Sequence, residues 1–395
     1  MNYFLLLVSL AFFAIGDILG VATKAKVSAV FVALMLFLVG FMTGIIPADI
    51  IDQAGLSQIA KWASAFIIFH MGTTINWKQL VDEWRTVVMS IIGMAIACAA
   101  VLAVSPIIGI KAALVSIPIV NGGIVATQIM TTAALAKGLT LVAALGTLVY
   151  GAQKFVGTPP ASLHGLKEAK KILAEYRAKK ASGETEIEKE RASRDAEKKP
   201  TRVLFYQKYN KYFTNYTCLA VAGLFAWLSQ VLGSHTPINY SIWALLLGVG
   251  VEFVGLVPPK ILEKGSSFGL LSMALFASII PSLAQIHLAD LGTLGIQTLV
   301  IFAAVMVGLY VFIYALPPVW KIVGSRDLAM GISVAQLIGF PATFLIANEI
   351  ATAVAETPDE REAVLSKIMP AYVVAGFVSV TTLSIIIAGI FVKFL

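Results

Sequence analysis

Charged residues are scarce in this chain of 395 residues, where they make up 13% of the sequence against 58% that are hydrophobic. Soluble domains carry roughly 25% charged residues, so this deficit, together with a mean hydropathy of +0.88, excludes an ordinary soluble protein. The surplus of apolar residues predicts an all-α polytopic membrane protein, because helices satisfy their own backbone hydrogen bonds in lipid.

Cysteine and histidine are also scarce, and this limits the chemistry open to the chain. Its two cysteines, Cys98 and Cys218, lie in or beside apolar runs and cannot serve as a disulfide framework. The four histidines lack the spacing of metal ligands, and no P-loop, nucleophile elbow or dinucleotide fingerprint occurs. The sequence therefore does not favour an enzyme, and no cofactor is expected.

Positive charge is in excess, with a formal net charge of +7, and much of it lies between residues 164 and 214. Membrane proteins hold surplus Lys and Arg in cytoplasmic loops, so this segment is predicted to be a charged cytoplasmic linker, and no nucleic-acid partner is expected. Apolar residues at helical spacing predict an amphipathic helix over 164–181 on the inner membrane surface. A regulatory or lipid-sensing role is the alternative to a plain connector.

Apolar runs long enough to cross a bilayer, about 20 residues each, occur five times on either side of this linker. They cover 3–23, 27–46, 60–76, 86–108 and 138–160, and then 215–233, 239–257, 268–286, 293–317 and 369–394. The first run is interpreted as a span rather than a cleavable signal, since no basic region precedes it. Residues 1–163 and 215–395 therefore predict two repeats of five transmembrane helices.

Two further apolar stretches, 112–136 and 328–355, are broken by glycine and lie between the fourth and fifth span of each half. Nine residues of helix cover only about 14 Å, half the hydrocarbon thickness, so each stretch is predicted to be a re-entrant hairpin. Aligned on glycine, residues 123–127 and 339–343 share the pattern G-x-x-A-T, 216 positions apart. Interrupted segments at corresponding places of two halves are typical of the binding site of a secondary transporter.

The distribution of charge predicts how the chain is threaded. With the linker inside, both termini lie outside and the basic residues concentrate in the inner connections, as the positive-inside rule requires. Five crossings per repeat make the repeats inverted relative to each other, with the hairpin tips near the midplane. The inner connections hold Lys24, Lys26, Lys78, Arg85, Lys260, Lys264, Lys321 and Arg326, and the outer ones hold Lys61, Lys111 and Lys137 with Asp49, Asp52 and Asp290.

Small and polar residues around the two breaks form the candidate binding site. A helix that begins after Gly123 or Gly339 directs free N–H groups at the tip, which suits a carboxylate, and the arm that ends there presents carbonyls, which suit Na⁺. Close helix packing is the alternative explanation of G-x-x-A-T. Substrate binding is predicted for Asn121, Gly122, Gly123, Thr127, Gln128, Gly339, Thr343 and Asn348, and Na⁺ binding for Asn121, Ser333, Thr343 and Asn348.

Ionisable residues inside apolar runs are costly in a bilayer and are often functional. The candidates are Asp17, His70, Glu252 and Glu349. Glu349 is the one beside a hairpin tip, where a cation-site role and a solvated position are equal alternatives. A structural role is favoured for His70, and for Glu252 a structural hydrogen-bonding role is at least an equal alternative to a functional one.

The second break resembles a known family. Residues 339–348, Gly-Phe-Pro-Ala-Thr-Phe-Leu-Ile-Ala-Asn, are similar to the second hairpin of the glutamate:sodium symporter family. The pair Gly122-Gly123 is similar to the glycine pair in the first hairpin of that family and of the related 2-hydroxycarboxylate transporters. The resemblance implies binding roles for Gly122, Gly123, Thr343 and Asn348. Two features depart from it: Ile124 and Val125 replace small polar residues, and a strict G-G-x-G is absent from both loops.

The residues and the resemblance together imply a Na⁺-coupled symporter of a small carboxylate such as glutamate, working by alternating access in a bacterial-type cytoplasmic (inner) membrane. The resemblance also implies a homodimer whose scaffold includes the spans 27–46 and 239–257. A proton-coupled or exchange carrier for another organic anion, a passive channel and a non-transporting membrane scaffold are the alternatives.

Overall fold

The computed structural model describes residues 2–22, 29–74, 81–181, 204–339 and 342–395. All regular elements in these ranges are helical, and no strand occurs in them, as the composition predicts. Lys24, Lys26, Lys78, Phe340, Pro341 and the linker residues 182–203 lie outside the described ranges.

The main helices of the first half are α1 (Tyr3–Ala22), α2 (Ala29–Met42), α3 (Leu56–Thr73), α4 (Trp84–Ala103), α5 (Ile110–Val120), α6 (Ile124–Ala136) and α7 (Thr140–Ala181). Those of the second half are α8 (Asn215–His235), α9 (Tyr240–Phe253), α10 (Phe268–Ala277), α11 (Leu288–Leu309), α12 (Arg326–Ile338), α13 (Ala342–Val354), α14 (Pro358–Val378) and α15 (Ser384–Phe391). Shorter helices occur at Ile50–Gln53, Ser105–Ile108, Phe205–Lys208, Asn210–Tyr212, Ile261–Lys264, Ile280–Gln285 and Pro317–Trp320.

Three of these helical segments are long and apolar enough to cross a membrane: Trp84–Ala103, Asn215–His235 and Leu288–Tyr314. The last of these includes π-helical residues Tyr310–Tyr314, which continue α11. Several other apolar helices are shorter, including those at Phe31–Met42 and Phe268–Ala284. Helix length and composition thus support a membrane protein, while the full count of ten spans stays a prediction.

Helix ends are set by local chemistry. The side chains of Asn239 and Thr357 accept hydrogen bonds from backbone N–H groups in the first turns of α9 and α14, which satisfies donors that have no partner within the helix. Gly109, with a φ of +90°, directly precedes α5, and Gly339, with a φ of +75°, ends α12. Glycine adopts these backbone angles without the steric cost of a side chain.

Both chain termini lie at one end of the helix bundle. The Asn2 N–H donates to the Gln53 carbonyl (2.7 Å), just before α3 begins. Lys393, near the C-terminus, hydrogen-bonds to Pro237, just before α9 begins. α3 and α9 run in the same direction along their contact, which joins Ser64 to Tyr240 and Gly72 to Gly248. The starts of both helices, and with them both termini, therefore share one end.

The opposite end collects the connections that follow α3 and α9. The Lys260 N–H donates to the Thr73 carbonyl (3.2 Å), and the Tyr206 N–H donates to the Gly255 carbonyl (3.1 Å). α7 also finishes at this end, where its last turns form ion pairs with the residues that begin α12 and α14.

The two glycine-broken stretches form hairpins that open toward opposite ends. The first hairpin, α5 and α6, has Lys111 at its base, which donates to the carbonyl of the C-terminal Leu395 (2.5 Å). The second hairpin, α12 and α13, has Asp327 at its base, which pairs with Lys171 of α7 (2.5 Å). The tips of both hairpins therefore lie inside the bundle.

Corresponding helices of the two halves make corresponding contacts. α1 packs on α2 as α8 packs on α9. α7 packs on both arms of the first hairpin, and α14 packs on both arms of the second. The last helices of each half also contact the hairpin of the other half: α7 contacts α12 and α13, and α15 contacts α5 and α6.

α7 is one continuous helix of 42 residues that includes Pro159 and Pro160. It joins the predicted span 138–160 to the predicted amphipathic segment 164–181. The apolar face of that segment, with Ala169 and Leu173 buried, belongs to a helix that packs against α13 and α14. This face therefore contacts protein rather than resting on the membrane surface as the sequence predicted.

Candidate functional site

The tips of the two hairpins meet at one side chain, that of Val380. In the first hairpin, a Cβ added at Gly123 would lie 3.4 Å from Val380 Cβ. In the second, a Cβ added at Gly339 would lie 2.7 Å from Val380 Cγ1. Two glycines 216 positions apart in the sequence are therefore neighbours in the fold.

Val380 belongs to a π-helical segment, Ser379–Leu383, between α14 and α15. Single π turns are rare and frequently mark functional sites. The next residue, Ser384, packs so closely on Gly122 that any Cβ at position 122 would overlap its side chain. Packing therefore requires glycine at position 122, independently of any ligand.

The first tip contains buried polar atoms that lack a partner. Asn121 Nδ2 donates to the Ile117 carbonyl (2.8 Å) and to Cys98 Sγ (3.3 Å), but Asn121 Oδ1 has no hydrogen-bond partner. Gln153 of α7 holds the tip in place, since its Nε2 donates to the Gly122 carbonyl (3.0 Å). The other amide atom, Gln153 Oε1, is buried and unpaired.

The second tip has the same property. Thr343, in the first turn of α13, is fully buried against Gly376, and its Oγ1 has no hydrogen-bond partner among the described residues. Gln336, one turn before Gly339, is 2% exposed and neither of its side-chain amide atoms is paired. An unpaired buried polar group costs about 1–3 kcal/mol, so a polar ligand or a water bound at either tip would be stabilised by these atoms.

Three further predicted site residues make hydrogen bonds within their own helices. Thr127 Oγ1 donates to the Gly123 carbonyl (3.1 Å), and Ser333 Oγ donates to the Ala329 carbonyl (2.8 Å). Gln128 Nε2 donates to Thr132 Oγ1 (3.3 Å), which leaves Gln128 Oε1 unpaired. These side chains lie one or two turns from the tips.

Asn348 lies farther along α13, and both polar atoms of its side chain make hydrogen bonds within the protein. Its Nδ2 donates to the Phe344 carbonyl (3.0 Å), and its Oδ1 accepts from the Arg361 guanidinium of α14 (3.0 Å). A carboxamide oxygen held by a cation does not suit a Na⁺ ligand in this conformation. The neighbouring Glu349 is exposed.

The other ionisable candidates lie outside the tips. His70 is buried, and its Nδ1 accepts from the Leu262 N–H (3.2 Å), which fits the structural role favoured from the sequence. Asp17 of α1 lines a cavity of about 190 Å³ between α1, α2 and α10. Glu252 is half-buried in the last turn of α9.

Sequence reasoning missed several residues around the tips. Gln153 and Lys154 form a polar pair inside the predicted span 138–160, and an ionisable residue in such a run is itself a signal of function. Val380 and Ser384 carry no such signal, because they become part of the site only when α14 and α15 pack against both hairpins.

The base of the second hairpin is held by charges. Asp327, 2% exposed, accepts from His164 Nδ1 (2.9 Å) and from Lys171 Nζ (2.5 Å). Since a carboxylate only accepts, Nδ1 carries the His164 proton, and Nε2 is left to accept from the Tyr310 hydroxyl (3.0 Å). This network ties α7 to the first turn of α12.

These contacts shift the pKa values of the acid and the imidazole. Burial lowers the pKa of His164 and outweighs the hydrogen bond to Asp327 that favours the charged ring. Burial alone would raise the pKa of Asp327, but the hydrogen bonds from Lys171 and His164 prevail and lower it. The imidazole is therefore neutral and the carboxylate charged near neutral pH.

The chain matches no model of a known protein family and no curated protein. Its function is therefore inferred from the residues at the hairpin tips.

Proposed function

We propose that the chain is a secondary active transporter that couples Na⁺ to the symport of a small carboxylate, such as glutamate, by alternating access. One observation carries the proposal: two glycine tips from opposite ends of the bundle converge on Val380, beside buried polar atoms without partners. Broken helices that meet in this way are the usual binding site of secondary transporters.

We further propose that the two halves are inverted repeats, each with five spans and one re-entrant hairpin. The matching contacts of α1–α2 and α8–α9, and the opposite openings of the two hairpins, support this arrangement. An inverted pair allows one hairpin to serve as the outer gate and the other as the inner gate, because their bases face opposite sides of the membrane.

The proposed orientation places both termini outside. Lys61, Lys111 and Lys137 belong to the end that carries the termini, whereas the opposite end has the larger set of basic residues: Arg85, Lys260, Lys264, Lys321 and Arg326. Such an excess is expected on the cytoplasmic side of a bacterial-type inner membrane.

The proposed ligand roles follow from the groups at each tip. The N–H groups in the first turn of α6 face the tip at Gly123, and a carboxylate is stabilised at such a helix start. Neutral oxygens, Asn121 Oδ1 and Thr343 Oγ1 among them, suit Na⁺, a hard cation. Because Glu349 is exposed, it does not favour proton coupling, which would need a buried carboxylate of raised pKa.

A homodimer completes the proposal. Its scaffold would include α2 and α9, on which the apolar side chains of Val39 and Leu246 are exposed. The two hairpins, held by α7 and by α14 and α15, would then move relative to this scaffold during transport.

Uptake of L-glutamate into proteoliposomes tests the proposal. An inward Na⁺ gradient should drive accumulation that persists when the pH gradient is collapsed, and Glu349→Gln should retain at least part of it. Protein-free liposomes provide the baseline. Uptake that follows the pH gradient and ignores Na⁺ would favour the proton-coupled alternative, and flux that does not saturate with substrate would favour a channel.

A further inference from the structure

Lys154 lies at the level of both hairpin tips. Its neighbour Gln153 binds the Gly122 carbonyl of the first tip (3.0 Å). Gly157, three residues after Lys154, packs against α12 just before the second tip. A Cβ added at Gly157 would lie 2.8 Å from Leu337 Cβ. One turn of α7 therefore passes both tips, and Lys154 lies on that turn.

Lys154 has no counter-charge in the part of the chain that the structure describes. Its side chain is half-buried, and it has no hydrogen-bond or ion-pair partner within the described ranges. An ammonium group in a membrane span is costly unless it is paired or solvated. An anion that binds beside it offsets part of this cost, because opposite charges attract each other strongly in a medium of low dielectric constant.

The surroundings of α7 show which face Lys154 occupies. One turn before it, the Tyr150 ring lies 6.2 Å from the Phe276 ring of α10. Three residues before it, Gly151 packs on Leu34 of α2, 3.1 Å from an added Cβ to Leu34 Cδ1. Phe276 and Leu34 both line the cavity of about 190 Å³ that also contains Asp17.

Lys154 is therefore on the face of α7 that meets α2 and α10, since residues three and four apart share one side of a helix. This is the boundary between the hairpin-bearing helices and the proposed scaffold. Gln153, the residue before Lys154, contacts the first tip, and the helices that meet the Lys154 face of α7 also line the cavity.

We propose that Lys154 is the cationic group that binds the carboxylate of the transported anion. This inference rests on the proposed transport function and adds a residue and a charge requirement to it. The first turn of α6 offers only the partial charge of a helix start, whereas a desolvated carboxylate is stabilised far better by a full opposite charge that also donates hydrogen bonds.

A structural ion pair with Asp17 is the rival explanation of Lys154. Asp17 lines the cavity between α1, α2 and α10, and Lys154 lies on the face of α7 that meets α2 and α10, but no ion pair of 4.0 Å or less joins the two side chains. If they acted as a structural pair, loss of either charge would destabilise the protein, and loss of both together would restore it. A substrate-binding Lys154 makes the opposite prediction, because removing an unpaired cation relieves the empty protein.

The experiment measures the thermal stabilisation of purified protein by L-glutamate, L-aspartate, succinate or citrate at fixed Na⁺. The variants are Lys154→Met and Lys154→Arg, with Lys137→Met, an exposed lysine after α6, as the matched control. Lys154→Met should melt no lower than the wild type without ligand. Its Kd for the stabilising carboxylate should rise roughly tenfold to hundredfold, whereas Lys154→Arg should retain more affinity and Lys137→Met should match the wild type.

Each other outcome is decisive. If the wild type is stabilised and Lys154→Met is stabilised equally, the assignment of Lys154 is overturned while the proposed function stands. If Lys154→Met melts lower and regains both stability and carboxylate binding on adding Asp17→Asn, the structural pair replaces the proposal. If none of the four carboxylates stabilises the wild type, the proposed function fails and this inference fails with it.

Discussion

Gly122 is held tightly on two sides within the first hairpin tip. Its carbonyl accepts from Gln153, and its Cα faces Ser384 with no room for a methyl group. Gly123, by contrast, is 3.4 Å from Val380 when given a Cβ, which is an ordinary contact distance. Two adjacent glycines therefore differ in what they tolerate.

This difference gives a prediction for transport. Gly122→Ala should displace the first tip and weaken L-glutamate uptake by about 1–3 kcal/mol in apparent transition-state terms, the usual cost of overpacking. Gly295→Ala in α11, where an added Cβ would have no neighbour within 4 Å, is the matched control and should remain close to the wild type. Gly123→Ala fits the packing, so any loss of uptake in that variant would report on its binding role alone. Adding Ser384→Gly to Gly122→Ala should restore most of the uptake, because it removes the atoms that the new methyl group meets. Wild-type uptake by Gly122→Ala, or no rescue by Ser384→Gly, would contradict the packing at this tip.

Glycine is the residue that the sequence locates best in this molecule. Gly122, Gly123 and Gly339 stand out because each interrupts a helical run that is too short to span a bilayer. Val380 and Ser384 meet the tips through contacts between helices far apart in sequence, and such contacts leave no local pattern. The hydrogen bond from Arg361 to Asn348 also joins two helices and leaves no pattern in the sequence. The sequence alone therefore does not distinguish Asn348 from the residues at the tips.

At the scale of elements, α7 ties the two halves together. It contacts both hairpins along its 42 residues. Beyond the predicted span 138–160, it also fixes the base of the second hairpin through His164 and Lys171. Arg177 adds a bidentate contact with Glu360 of α14 (2.7 and 3.1 Å) and holds the pKa of that carboxyl down at about 2.

The neutral state of His164 makes this attachment sensitive to pH. Because its pKa is lowered in the folded protein, the unfolded chain binds more protons as the pH falls below the ordinary value of about 6.5. Stability is therefore complete above that pH and decreases below it. Asp327, whose pKa is also lowered, contributes to the loss only at lower pH, below the usual range of a carboxyl group.

Melting temperatures between pH 8 and pH 5 measure this effect. The wild type should lose melting temperature over this range more steeply than His164→Gln, which cannot take up the proton. His235→Gln, at an exposed histidine in the last turn of α8, is the matched control and should keep the wild-type slope. Equal slopes for the wild type and His164→Gln would show that this network does not set the pH dependence.

Apolar composition predicts that the chain is helical, but it predicts less well where one helix ends and the next begins. Gly122-Gly123 and Gly339 predict breaks in their helices, because the backbone freedom of glycine often ends a helix. The sequence does not predict that α7 continues through Pro159 and Pro160, because a pair of prolines usually ends a helix. In the structure α7 continues through both prolines while it packs against both hairpins.

In the molecule as a whole, the two hairpins are expected to act as two gates to one site. The first hairpin opens toward the end that bears the termini and the second toward the opposite end. Their tips are separated only by the side chain of Val380. Small movements of either hairpin against α14 and α15 would therefore expose the same position to one side of the membrane or the other.

The most direct test of this claim is the accessibility of position 380 from each side. Val380→Cys, with Cys98→Ala and Cys218→Ser, should react in proteoliposomes with a membrane-impermeant maleimide added to either side, and L-glutamate with Na⁺ should protect it. Val364→Cys, at a fully buried position of α14, is the matched control and should stay unreactive. A Val380→Cys protein that is unreactive from both sides, or whose labelling ignores L-glutamate and Na⁺, would show that the two tips form a packed core rather than a transport site.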